Sequence, residues 1–152
     1  MAYPERFSMT SDFIGGVFGD VINAPQGSIA TKLIKADSTA TFYPCTPVVL
    51  QADGTVDRAT AIGDAIYGFV AYNPIKTINV KGESISVLTN DVVVNLKAGA
   101  VITAGQKLEI SLSGAGEQDR VVPVTTGSVI GVALNPAAEN EIVRVRIAIV
   151  NV

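Results

Sequence analysis

EIVRVRIAIV, residues 141–150, alternates as a half-buried β-strand does. Val143, Val145, Ile147 and Ile149 fall on one side, and Arg144 and Arg146 on the other. Successive strand side chains point to opposite faces, so this run turns an apolar row toward a core and its arginines away from it. Residues 83–89 repeat the pattern, with Ile85 and Val87 against Ser84 and Ser86. Outward from these two runs, residues 28–35, 66–72 (IYGFVAY), 91–97, 107–112, 120–124 and 128–134 are short and rich in Val, Ile and Leu. Ala98-Gly99, Ala104-Gly105, Gly114-Ala115-Gly116 and Thr126-Gly127 punctuate them, and Asp53-Gly54 is a strong turn signal. Residues 41–51 read as extended, but Pro44 and Pro47 confine them to an edge or to irregular backbone. Many short strands with frequent turns predict an all-β domain, a β-barrel or jelly-roll-like sandwich.

The chain also echoes itself. Asp57-Arg58 and Asn73-Pro74 return as Asp119-Arg120 and Asn135-Pro136. At the same offset of 62 residues, Val70 and Ala71 match Val132 and Ala133, Leu50 matches Leu112, and Gly54 matches Gly116. Proline cannot donate to a ladder, so each Asn-Pro ends a strand; each Asp-Arg is a candidate strand-end ion pair. Two pseudo-repeated β lobes are expected, units of about 45–89 and 107–150, inside one β domain over 28–152.

Residues 1–27 differ and read as an N-terminal arm. Between residues 11 and 25, Phe13, Ile14, Val17, Phe18, Val21 and Ile22 recur at the spacing of one helix face, with Ser11 placed to cap it. Gly15, Gly16 and Gly19 each cost such a helix about 1 kcal/mol relative to alanine. The segment would order only against something. Two readings stand: a hook over the protein's own core, or an arm reaching a neighbouring subunit. Phe13, Ile14, Phe18, Val21 and Ile22 are the candidate contacts.

A chain of 152 residues can bury a core without disulfides or metals. With 48% hydrophobic and only 16% charged residues, it resembles a protein that hides surface in an assembly. The net charge is −3 and the eleven basic residues are scattered, which argues against nucleic acid as a partner. No run of about eighteen apolar residues predicts a membrane span, and the N-terminus lacks a secretory pattern, so synthesis in a cytoplasm is expected. Cys45, alone in the chain, reads as a small buried hydrophobe.

The search for chemistry finds no constellation. There is no histidine, which removes Ser-His and Cys-His pairs and the commonest metal ligand. Fourteen carboxylates could supply a glycosidase pair, but there is no tryptophan and only 6% aromatics for sugar to stack on. Asp53-Gly54 lacks the acidic series of a calcium loop, and Gly114-Ala115-Gly116 lacks the third glycine of a dinucleotide loop. The expectation is a protein that is not an enzyme, with no cofactor and no metal.

In order, the segments P-C-T-P-V-V-L, I-Y-G-F-V-A-Y-N-P, T-A-G-Q-K-L, I-G-V-A-L-N-P and E-I-V-R-V-R-I-A-I-V follow a Gly-rich apolar arm. This series resembles the small head-decoration, or structural cement, proteins of tailed bacteriophages. The resemblance implies a homodimer or homotrimer on the outer capsid surface of a virion, bridging major capsid proteins. It carries over no catalytic residues. Rival readings are a tail, baseplate or fibre-associated component, and a carbohydrate-binding adhesin module, which the scarcity of aromatics disfavours.

Overall fold

Hydrophobic alternation becomes sheet pairing in the computed structural model, which describes residues 21–25, 27–61, 63–112 and 120–151. The strands are β1 (Val21–Asn23), β2 (Ile29–Leu33), β3 (Pro47–Leu50), β4 (Val56–Arg58), β5 (Gly68–Val70) and β6 (Ser84–Leu88). They continue with β7 (Val93–Lys97), β8 (Lys107–Ser111), β9 (Arg120–Pro123), β10 (Val129–Ala133) and β11 (Ile142–Val150). Two antiparallel sheets, ordered β2-β6-β5-β3-β4 and β1-β7-β11-β10-β8-β9, stack as a sandwich. The all-β expectation therefore holds. On β11, Val143, Val145 and Ile147 are fully buried while Arg146 is exposed. Val94 and Leu96 of β7 lie directly opposite Val145 and Val143 and share their face. Each such side chain contributes roughly 1.5–3 kcal/mol by leaving water.

The molecule is built as a repeat, but in another register than the echo, with units that begin at Ile29 and Val93 and not near residues 45 and 107. β2 to β6 and β7 to β11 are two units with the same strand order, and their hydrogen bonds correspond one to one. The Ile34 N–H donates to Glu83 O as the Ala98 N–H donates to Glu141 O. The Cys45 N–H donates to Val70 O as the Gly105 N–H donates to Ala133 O, both at 2.8 Å. Ile34 bridges Val56 in parallel, and Ala98 bridges Val121 likewise, so each sheet curls until its last strand meets the end of its first. The left-handed positions match too: Gly27 and Asp91, Cys45 and Gly105, Gly82 and Asn140. Each unit has an interior of its own. Ile34, Phe42, Val48, Val56, Val70, Ile85 and Val87 form it in the first unit; Ala98, Ile102, Leu108, Val121, Ala133, Val143 and Val145 take those places in the second.

The constant offset of 62 does not survive. The hydrogen bonds give 58 from Glu83 to Glu141, 60 from Cys45 to Gly105 and 65 from Val56 to Val121, because the connecting turns differ in length. Asp57 and Arg58 thus correspond to Val122 and Pro123, and the Asp-Arg match is accidental. The Asp57 carboxylate accepts from Ser38 Oγ at 2.6 Å and from the Arg58 N–H at 2.8 Å.

Two local expectations are corrected, and one strand is added. Val21–Asn23, the end of the expected helix, is a strand: it pairs with β7, Val21 opposite Val94 and Asn23 opposite Val93. Pairing along a sheet satisfies the backbone that a helix broken by three glycines could not hold. The rest of that expectation lies outside the described residues. β3 is interior to its sheet despite Pro47, which is the first residue of the strand, where a missing N–H is tolerated. β4, too short for a pattern, was not expected as a strand.

The units do not pack symmetrically. Phe69 and Leu88 of the first unit turn away from its own interior and join the cluster built on the second. Cys45 Sγ meets Asn95 O across this junction, at 3.4 Å, and Asn151 bonds both the N–H and the C=O of Ile66. The positions matching Phe69 and Leu88 are Val132, half-buried, and Arg146, exposed.

Candidate interaction surface

Of the ten large apolar side chains exposed among the described residues, six belong to the first unit: Ile29, Leu33, Leu50, Ile75, Ile78 and Val80. β2 buries little: Ile29, Thr31 and Leu33 are exposed and Ala30 and Lys32 half-buried. Its counterpart β7 is almost wholly buried. The pleat explains the alternation, since it turns the odd-numbered side chains of β2 to the outer face of the sheet. The Thr89 N–H donates to Ser28 O and the Ile34 N–H to Glu83 O, so the main-chain groups of the even-numbered residues of β2 point toward β6. The N–H and C=O groups of Ile29 and Thr31 point the other way, where no strand pairs with them among the described residues, and from Leu33 onward β4 closes on that edge through the Ile34–Val56 bridge.

A groove of about 350 Å³ runs over the outer face of β2 and β6, lined by Val21, Ile29, Thr31, Tyr72, Pro74 and Ser86 among others. One wall is β1. The other is a loop that the second unit lacks. The Ala71 and Leu134 N–H groups make equivalent bonds, to Ser86 O and Arg144 O. Asn79 and Ala137 make equivalent bridges. Residues 72–78 lie between these points in the first unit, but only 135–136 in the second. The longer loop carries Ile75, 94% exposed. Lys76 pairs with Glu83, and that contact, followed by the Val80 N–H, holds the Glu83 carboxyl below the usual carboxylate range.

Of the residues singled out in the sequence, Phe13, Ile14 and Phe18 lie outside the described residues. Val21 and Ile22 sit on β1 beside the groove: Val21 packs partly on the core, and Ile22 is 43% exposed. Ile29, Leu33 and Ile75 were not anticipated. Ile29 and Leu33 stand on one side of IATKL, which reads equally well as a buried face, and Ile75 follows an Asn-Pro turn that carries no pattern.

The buried carboxylate Glu109 is of a different kind. Burial alone would push it up. The backbone N–H groups of Thr125 and Gly127, the Thr125 hydroxyl and the Thr126 N–H outweigh that and hold it below its ordinary value. The Thr125 Oγ1 lies 2.8 Å away and the Gly127 nitrogen 2.6 Å. Every donor comes from residues 125–127, so Glu109 pins the turn between β9 and β10. Among the described residues no three His, Cys, Asp or Glu side chains group to hold a metal ion, and no helix is long and apolar enough to cross a membrane.

What these features define is a tandem β-sandwich whose first unit carries an apolar groove and a strand edge left largely unpaired among the described residues. No protein-family model matches the chain, and no curated protein matches its sequence. Among solved structures, the N base of the head fiber gp8.5 of bacteriophage phi29 has a similar fold, with a TM-score of 0.51 at 17% identity. The match covers 79% of this chain and 94% of that one.

Proposed function

We propose that this protein is a structural component of a phage virion that binds the outer surface of the capsid and stabilises it by bridging major capsid proteins as a homo-oligomer. The observation that carries this reading is the fold shared with a phage head fiber base along nearly all of that chain. The argument from fold is one of analogy; the sequence adds two independent supports. A chain without histidine, with 16% charged residues, is poor material for catalysis and good material for an assembly. The segments resembling head-decoration proteins include both copies of the Gly-x-Val/Ala strand, Gly68–Val70 and residues 131–133.

The physics of such a role is multivalency. One small patch such as the β1–β2 groove would bind a capsid protein weakly, whereas several patches presented together gain avidity without new contacts. Quantitative mass spectrometry of purified virions decides the matter. About one copy per capsid subunit is expected. A handful of copies per particle would place the protein in a fibre, tail or vertex instead, and its absence from virions would end the reading.

A further inference from the structure

We propose that the groove over β2 and β6 is a binding site for an uncharged sugar. The inference goes beyond the virion role and does not rest on it, since capsid attachment does not need this groove.

No charged residue lines the groove. Besides apolar side chains it presents hydroxyl and amide groups, each able both to donate and to accept a hydrogen bond. Thr31 and Ser86 lie directly opposite one another in the β2–β6 register, so their hydroxyls rise from one face of the sheet, and Ser84 stands two residues along on the same side. Asn79 is only 9% exposed, and Phe42 takes both its main-chain N–H and its C=O. Its side-chain amide, at the groove, makes no hydrogen bond among the described residues. Nor do the hydroxyls of Thr31, Ser84, Ser86 and Tyr72. Groups that the protein leaves unpaired at a hollow are the ones a ligand can pair.

The tandem repeat shows that the fold does not require this lining. Thr31 and Ser86 correspond to Asn95 and Arg144, which lie opposite one another on β7 and β11. Asn95 is fully buried there, so the second unit has no room at the matching place. The wall that deepens the hollow in the first unit comes with residues 72–78, which the second unit also lacks. A loop added to one copy of a shared scaffold is where function is carried.

The chemistry matches a sugar ring, which has hydroxyls round its edge and apolar C–H faces. Tyr72, half-buried on that wall, makes no ring contact among the described residues and offers an aromatic face beside Pro74. A volume of about 350 Å³ is at the small end of ligand sites, suited to a single sugar or a short glycan end. An acidic sugar would find no cation on the lining, and nearby Lys76 is already paired with Glu83. With one aromatic ring the site is weak, at about millimolar for a single sugar. Several copies presented together would raise that by avidity.

The test adds N-acetylglucosamine, methyl α-glucoside, methyl α-mannoside or methyl β-galactoside to the full chain at about 10 mM and follows amide shifts by NMR, with glucuronic acid as the charged counterpart. At least one neutral sugar should shift the Tyr72, Asn79 and Ser86 amides saturably, and glucuronic acid should bind roughly tenfold less tightly. Ser86→Arg installs the second unit's residue at an exposed position, and Tyr72→Ala removes the ring. Each should keep a folded spectrum and weaken binding roughly tenfold or more. Val101→Ser, exposed on the second unit, should bind as the wild type does. The inference is overturned if no neutral sugar shifts these amides, if glucuronic acid binds best, or if binding is indifferent to both Ser86→Arg and Tyr72→Ala. If Ser86→Arg leaves sugar affinity unchanged but abolishes attachment to capsids, the groove takes a capsid segment and the inference also fails. Copy number in virions is measured separately, so neither proposal shields the other.

Discussion

Glu109 occupies the place that Val49 holds in the first unit, and a charged side chain there must bring its own partners. Three consecutive residues, Thr125 to Gly127, supply them. The sign of its pH effect follows from the direction of the shift. A carboxyl held below its ordinary value binds fewer protons in the folded state than in the unfolded one. Its stabilisation is therefore complete above the unfolded value near 4.5 and is lost as pH falls through the lower folded value. Glu109→Gln should cost about 2 kcal/mol at neutral pH, the usual worth of hydrogen bonds to a charge. In urea titrations the gap between variant and wild type should narrow steadily below the unfolded value; a constant gap down to strongly acid pH would show that the charge contributes nothing. Nothing in the sequence marked this residue, because LEIS reads as an ordinary strand and its partners come from beyond the next strand.

At the scale of elements, the repeated Gly-x-Val/Ala strand has a steric origin. β5 and β10 each approach the following strand so closely that a Cβ at glycine has no room. A methyl on Gly68 would overlap Leu88 O and lie 2.6 Å from Val87 Cγ1. On Gly131 it would overlap Arg146 O and lie 2.7 Å from Val145 Cγ1. The two environments are the same, which is why this glycine survives in both copies while the turns between them drift in length. Gly68→Ala and Gly131→Ala should each cost about 3 kcal/mol, the upper end of overpacking. Gly82→Ala, at a left-handed position with nothing near its Cβ, should cost only about 1 kcal/mol. Equal costs at all three would mean that backbone conformation, not space, selects glycine.

For the whole molecule, the decisive difference between two similar units is which face each one hides. Leu88, fully buried, packs toward the second unit, while its counterpart Arg146 meets solvent. A further unit stacked on the second in the same way would bury an arginine. Leu88→Arg should therefore destabilise the chain by roughly 4 kcal/mol, the range of an unpaired buried charge, whereas Arg146→Leu should change stability by no more than about 0.5 kcal/mol. Chemical denaturation of both variants checks this, and similar effects at the two sites would show that the units pack alike.

Strand-forming runs and their facing at β6 and β11 were legible in the sequence, whereas the matches at an offset of 62 that suggested a repeat fall on positions the structure does not equate. Period-two alternation and turn residues are local, and local patterns are written residue by residue. Val21–Asn23 was misread for the same reason: an apolar face at helical spacing says nothing of an unpaired strand edge waiting elsewhere, and β7 supplied that edge. The true offsets of the repeat depended on turn lengths that only matched hydrogen bonds disclose. Position in the fold also separated β2 from β7, two strands at one place in the repeat. One became a buried wall covered by β1. The other has no strand along most of its outer edge among the described residues, because burial is set by what packs across a strand rather than by the residues within it.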